Sequence, residues 1–248
     1  MKATLPRSGG TVSLAAVSSP PRVQLSMIGG FELRRDGRLL RLPLTAQRLL
    51  AFLALQDRAL LRHYVAGVLW PEVTEEHAGA CLRSAVWRLG HSGEIMVEGS
   101  RTHLCLSPGV DVDWRALTAR YQRLLDESEH LPPQFLGSLP VSGDLLPDWY
   151  DDWVIIERER FRQLRLHALE VLSTRLTAIG MAWRAVEAGL AAVAAEPLRE
   201  SAHRALIAAY LAEGNRSEAL RQFDRYRRLL GQELGLEPSE LLKSLVSA

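Results

Sequence analysis

Shifted by 34 residues, the C-terminal part of the chain lies over itself: Gly180 falls on Gly214, Ala185 on Ala219 and Leu176 on Tyr210. Leu206, Tyr210, Gly214, Ala219 and Phe223 alternate large and small side chains at the offsets of a repeated helix pair, and Pro197 stands where the earlier copy must end. Repeats of this period are single helix-turn-helix units that bury little alone and must stack on their neighbours, which leaves a concave surface for partners. The pattern restricts the second half of the chain to an all-α array.

The first half obeys a different period. Val23, Leu25 and Met27 alternate with Gln24 and Ser26, and Phe31 and Leu33 repeat the alternation before Arg35-Asp36-Gly37-Arg38. Asp-Gly favours a tight hairpin, so Leu39, Leu40 and Leu42 belong to a returning strand of a small antiparallel sheet. Thr45 is an expected N-cap for a helix carrying Leu49, Leu50, Phe52, Leu53 and Leu55. A second helix runs from Arg62 to Trp70 and stops at Pro71. Thr74 caps a third, with Glu75 and Glu76 where the helix dipole favours acids. Ile95-Met96-Val97 and Leu104-Cys105-Leu106 then flank a polar tip containing Arg101. Sheet, three helices and hairpin are the order of a winged helix-turn-helix.

The third helix carries the chemistry. At about 100° per residue, Ala78, Leu82, Ala85, Val86 and Leu89 gather on one side, while Ala80, Arg83, Ser84, Trp87 and Arg88 face the other. No acid occurs from His77 to Gly93. A helix that buries one stripe and turns arginines, a hydroxyl and an indole outward suits a DNA major groove. Arg83 is read as a guanine contact and Arg88 as a phosphate contact. Trp87 either meets a thymine methyl or sugar, or plugs the space under the wing. Arg101 either enters the minor groove or remains a solvated turn residue.

Charge placement agrees with this division. Eleven arginines face eight acids from Arg22 to Pro108, whereas from Gly109 onward seventeen basic residues face 21 acids. Lys2 and Lys243, the two lysines, lie in no phosphate-binding Gly-Lys-Ser/Thr loop. Gly-x-Ser-x-Gly, Gly-x-Gly-x-x-Gly and His-Glu-x-x-His are absent, so no enzymatic chemistry and no cofactor are expected. His77, Cys81, His103 and Cys105 make a chemically sound zinc set, but the paired-cysteine spacing is missing; a buried thiol and surface histidines explain them better. Asp148, Asp151 and Asp152, beside Arg158, Arg160 and Arg162, read as a solvated or ion-paired face. No apolar run approaches the roughly 18 residues of a membrane span, and residues 1–21 read as a disordered tail rather than a secretory signal. A cytoplasmic, nucleoid-associated protein is expected.

Past Gly109 an amphipathic helix begins at Asp113, a Pro- and Gly-rich crossing covers residues 132–147, and a long helix follows from Asp148 to Ile179, with Trp149, Trp153 and Phe161 as anchors of the helical domain. Five passages, LTAQRLLAFLALQ, Val68-Leu69-Trp70-Pro71, ACLRSAVWRLG, LLPDWYDDWVIIERERFRQLRLHALE and EALRQFDRYRRLLGQELGLEPSEL, together resemble the SARP-type regulators. These combine an OmpR-type winged helix with a bacterial transcriptional activator domain built of tetratricopeptide-like repeats. The resemblance covers residues 22–248 and implies a mainly α protein with a winged helix at residues 22–108 and an activator domain at residues 109–248. It implies further an activator that binds direct repeats in double-stranded promoter DNA and engages RNA polymerase holoenzyme; the modest positive charge of residues 22–108 separately predicts two copies side by side, a homodimer at least on DNA. Carried onto this chain, recognition falls to Arg83, Ser84, Trp87 and Arg88, the wing supplies Arg101, and Thr45, Arg48, Arg62 and His63 lie near phosphates. The chain departs from the family pattern at Gly90 and His91, where basic residues are common, and at Trp87. The alternative is a helical protein-interaction scaffold whose winged helix reads no DNA.

Overall fold

The computed structural model describes residues 23–91 and 93–247; the expected tail over residues 1–21 lies outside them. Strands β1 (Val23–Ser26), β2 (Glu32–Arg35) and β3 (Arg38–Leu39) form the antiparallel sheet, with Val23 opposite Arg35 and Leu25 opposite Leu33. Asp36 and Gly37 take φ of 48° and 79°, the left-handed pair that a two-residue hairpin needs. Helix α1 (Leu44–Ala54) follows, and every residue from Leu49 to Ala54 is buried. Its N-cap is Pro43, not Thr45. The extended backbone of Pro43 presents its carbonyl to the N–H groups of Ala46 and Gln47, so the chain is already helical and exposed at Thr45.

Strand β4 (Leu60–Leu61) leads into α2 (Arg62–Leu69), α3 (Glu75–Gly90), β5 (Val97–Gly99) and β6 (His103–Leu106). The last two strands and β4 make a three-stranded sheet in the order β4-β6-β5, with Leu60 opposite Leu104 and Val97 opposite Leu106. Strand β7 (Val110–Val112) then returns to the first sheet and pairs parallel with β1. The first sheet is therefore mixed, order β3-β2-β1-β7, and it continues past residue 108. A parallel pair needs a long crossover; here the whole winged helix is that crossover.

The remainder is helical: α4 (Asp113–Leu125), α5 (Pro133–Gly137), α6 (Asp152–Ala178), α7 (Ala182–Ala195), α8 (Glu200–Ala212), α9 (Arg216–Leu234) and α10 (Glu240–Ser247). The 34-residue repeat recurs in the hydrogen bonds. Gly180 and Gly214 have φ of 77° and 80°, and each donates to the carbonyl three residues earlier, Thr177 and Leu211. Met181 N–H donates to Leu176 O at 2.9 Å and Asn215 N–H to Tyr210 O at 2.9 Å. These bonds occupy helix-end carbonyls that would otherwise be orphaned. Ala185 and Ala219 are both fully buried at the equivalent crossings.

The two halves share one core. Asp113, at the first turn of α4, accepts Met27 N–H at 2.8 Å and Ile28 N–H at 3.3 Å with its carboxylate. Burial pushes this carboxyl up from its usual range, against the pull of those N–H donors and of Trp114 N–H. Arg115 reaches the C-terminal end of α1, where its Nε donates to Ala54 O at 2.8 Å and one Nη to Gln56 O at 2.5 Å. Ile28 and Leu145 form an antiparallel bridge, and Leu146 N–H donates to Met27 O at 2.9 Å. Trp149 stacks on Phe31 at 5.7 Å, and Trp153 meets Phe52 edge-on at 5.2 Å. The tryptophans read from the sequence as anchors within the helical half thus bind that half to the winged helix. A continuous cluster of buried side chains extends from Val23 to Ala209.

This shared core predicts a single cooperative unfolding transition, with tryptophan fluorescence and helical circular dichroism coincident in urea. Arg115→Ala should lower the unfolding free energy by roughly 2 kcal/mol, since a charged donor is lost from carbonyls at a helix end. Two separated transitions would contradict the shared core.

At the other end, buried His203 on α8 bonds Pro197 O through Nε2 at 2.9 Å and the Gln222 amide through Nδ1 at 2.9 Å, and it stacks on Tyr226 at 4.2 Å. Burial lowers its pKa, the Arg225 charge works in the same direction, and the Pro197 carbonyl and Glu200 oppose it. The native state therefore holds His203 neutral. Its contribution is present in full above the ordinary value of about 6.5 and is lost as pH falls below it, where the unfolded chain takes up the proton first. His203→Gln should cost about 1 kcal/mol at pH 7.5, and the gap to wild type should narrow by pH 5.5 in thermal melts. A gap independent of pH would refute the neutral assignment.

Candidate nucleic-acid interface

Helix α3 starts where Thr74 Oγ1 accepts His77 N–H at 3.4 Å, with Glu75 and Glu76 in the first turn. Capping satisfies one orphan donor, and the two acids oppose the positive end of the helix. Ala78, Leu82, Ala85 and Leu89 are buried, which pins the helix to the core along one stripe. Arg83, Ser84, Trp87 and Arg88 are all exposed on the other side. Among the described residues, Arg83, Arg88 and Arg101 make no ion pair, so their charges remain available to a ligand.

Trp87 is 62% exposed, which rules out the plug under the wing. Its ring lies 3.8 Å from that of His91, whose backbone N–H and Nδ1 both reach Trp87 O. The indole is thereby held against the end of the helix with its outer surface open. After the helix, Glu94 pairs with Arg35 of β2 at 2.8 Å and ties the turn to the first sheet.

The wing is braced at its base and tip. Ser100 Oγ accepts the N–H groups of Thr102 and His103 at 3.2 and 3.1 Å, which folds the tip around Arg101. Arg62, the first residue of α2, donates its backbone N–H to Thr102 O at 2.8 Å and Nε to Ser100 O at 3.0 Å. A groove of about 350 Å³ results, lined by Arg62, His63, Arg83 and Arg101 together with Glu75 and Gly79. Four sequence-predicted residues from α2, α3 and the wing therefore meet at one place. Arg83 lies back over Gly79, where an added Cβ would stand 3.5 Å from its guanidinium.

Two predicted contacts stand apart. Thr45 is exposed at the first turn of α1 but does not cap it. Arg48 is half-buried, and its Nε donates to Asp151 at 3.1 Å, just before α6. Its charge is used inside the protein, at the joint between halves. At a sequence separation of 103, no local pattern pairs Arg48 with Asp151. The aspartate of the expected ion-paired face is indeed paired, but with the other half of the molecule. Among the described residues no group of three or more His, Cys, Asp and Glu side chains is placed to hold a metal. Cys105 Sγ donates to Glu98 O at 3.7 Å, and His103 Nδ1 bonds Thr102 Oγ1 at 2.9 Å.

Comparison with known proteins finds relatives for most of the described chain and a family model for its C-terminal part. Residues 140–248 match the family described as bacterial transcriptional activator domain. Regulatory protein AfsR of Streptomyces coelicolor is 29% identical over 236 residues, covering 90% of this chain and 24% of that protein. Its counterpart from Streptomyces griseus is 26% identical over 235 residues, with the same shares. The chain thus spans about a quarter of the length of these curated relatives. Mycobacterium tuberculosis EmbR, solved in complex with a low affinity phosphopeptide, superposes with a TM-score of 0.74 at 21% identity, over 92% of this chain and 64% of that one. That likeness is one of fold, a winged helix followed by a tetratricopeptide-like array. No helix among the described residues is long and apolar enough to cross a membrane. With a winged helix leading into a match to the bacterial transcriptional activator domain, the chain is similar to the SARP-type transcriptional regulators.

Proposed function

We propose that this protein is a sequence-specific DNA-binding activator whose α3 enters the major groove while the wing grips the flanking backbone or minor groove. The observation that carries the reading is the convergence of Arg62, His63, Arg83 and Arg101 on one groove beside an α3 face that has no ion pair among the described residues. Arg83 is the bidentate reader of a guanine edge, since its guanidinium matches O6 and N7. Arg88 and Arg101 meet phosphates, His63 and the exposed Thr45 lie at the margin, and Ser84 hydrogen-bonds within the groove. Trp87 offers an apolar edge to a thymine methyl or a sugar. Arg62 acts by holding the wing tip, and Arg48 by holding α6, so both support the interface from behind.

The modest positive charge of the N-terminal half gives one copy a weak electrostatic grip. Two copies on direct repeats supply the remainder by linkage. The helical half is then free to engage RNA polymerase holoenzyme, and the regulators named AfsR support placing the chain in transcription rather than catalysis. The residue range 22–108 acts as reader and 109–248 as activator, in the cytoplasm at the nucleoid, without cofactor. A pure interaction scaffold is the competing reading, since stacked helix pairs bind proteins by themselves.

Mobility-shift titrations on a fragment carrying the direct repeats decide between them. Arg83→Ala should weaken binding by about 10- to 100-fold and relax the preference at one base pair, the effect of one bidentate contact. Arg88→Ala should weaken specific and random DNA alike and reduce the salt slope by about one. If neither variant changes binding, α3 does not read DNA; if no duplex outcompetes random DNA, the scaffold reading replaces this one.

Footprinting should show two adjacent protected half-sites filling together, with spacing changes of half a helical turn abolishing the second. Protection of one half-site at saturation would remove the paired arrangement.

A further inference from the structure

A groove of about 820 Å³ opens between α6, α8, α10 and the turn after α4. Its volume falls within the roughly 300–1,000 Å³ usual for small-molecule sites. Leu125, Val171, Ala205, Ala208, Leu241 and Leu245 make the lining apolar.

The polar groups around it are unequally committed. Thr174 Oγ1 donates to Glu170 O at 3.0 Å, Ser201 Oγ to the Glu170 carboxylate at 2.7 Å, and Ser244 Oγ to Leu241 O at 2.9 Å. Glu170 is itself neutralised by Arg199, with Nε 2.6 Å away. Arg175 donates to the carbonyls of Glu129 and Asp126 at 3.3 and 3.1 Å, and its charge is partly shared with the Asp126 carboxylate, whose pKa it helps to lower. Arg204 is exposed and, among the described residues, has no hydrogen-bond or ion-pair partner. Two cations therefore face one unpaired lining carboxylate, Glu127, above an apolar floor. Charge-assisted recognition by a guanidinium in such a setting selects an anion.

We propose that this groove binds a small amphipathic organic anion, its apolar body on Val171, Ala208 and Leu245 and its acidic group on Arg204. The occupant bridges α10 to α6 and α8. Its class is an aliphatic or aromatic acid with one charged group, and the site is separate from α3 and the wing.

The probe is 1-anilinonaphthalene-8-sulfonate, titrated by fluorescence into the intact chain and displaced by decanoate, decanol or decyltrimethylammonium. One saturable site is expected, with decanoate displacing the dye at about tenfold lower concentration than the neutral or cationic analogue. Arg204→Ala should weaken decanoate about tenfold, leave decanol unchanged and leave the ligand-free Tm and duplex binding as in wild type. Ala208→Phe should reduce all three ligands by filling the floor, with circular dichroism checking its fold. Equal displacement by the three analogues, indifference of decanoate to Arg204→Ala, or no saturable dye site would each overturn the proposal.

Discussion

The first turn of α4 holds the molecule together. Asp113 takes up the N–H groups at the end of β1, and two residues later Arg115 takes up the carbonyls at the end of α1. Backbone groups at element ends are expensive to bury unpaired, and here the partners come from the helix that opens the second half. The first half does not satisfy these particular ends by itself. Trp149 and Trp153 then add ring contacts across the same joint, although the buried indole N–H of Trp153 has no partner among the described residues. Ring packing must therefore outweigh that loss.

A rigid joint has a consequence for the interface. Helix α3 is fixed to the core by its buried stripe, its exit is fixed to the first sheet by Arg35–Glu94, and the wing is fixed to α2 by Arg62. The exposed face of α3 is thus presented by elements already braced against the core, which lowers the ordering cost that binding on this face would carry. The same bracing carries the helical array at a set angle to that face, through Arg48–Asp151 and the Phe52–Trp153 contact. In the proposed function, a chain built this way would convert the position of α3 directly into the position of its second half.

Much of this was legible in residue order. The Asp36-Gly37 hairpin, the Thr74 cap, the buried and exposed faces of α3 and the Gly180/Gly214 repeat all follow from local rules, and all are observed. The errors have physical causes. Thr45 has the type that suits a cap, yet the extended Pro43 already starts the helix. The strand β7 was invisible as a member of the first sheet, since its partner β1 lies 87 residues away. Arg48 suits a phosphate contact in the sequence because a free surface arginine and a half-buried, ion-paired one look alike there, and Asp151 is remote from it.

The sequence by itself determined most of the elements and their faces: period two in the strands, period 3.6 in the helices, and a repeat whose glycines must turn. Those choices rest on steric and hydrophobic patterning within a few residues. Only the tertiary structure decided which charges remain for a partner. Arg48, Arg62 and Arg115 are spent on the protein, while Arg83, Arg88 and Arg101 have no ion pair among the described residues. That outcome depends on which carboxylates and carbonyls the folded chain brings within hydrogen-bond reach, a long-range property that no local pattern encodes.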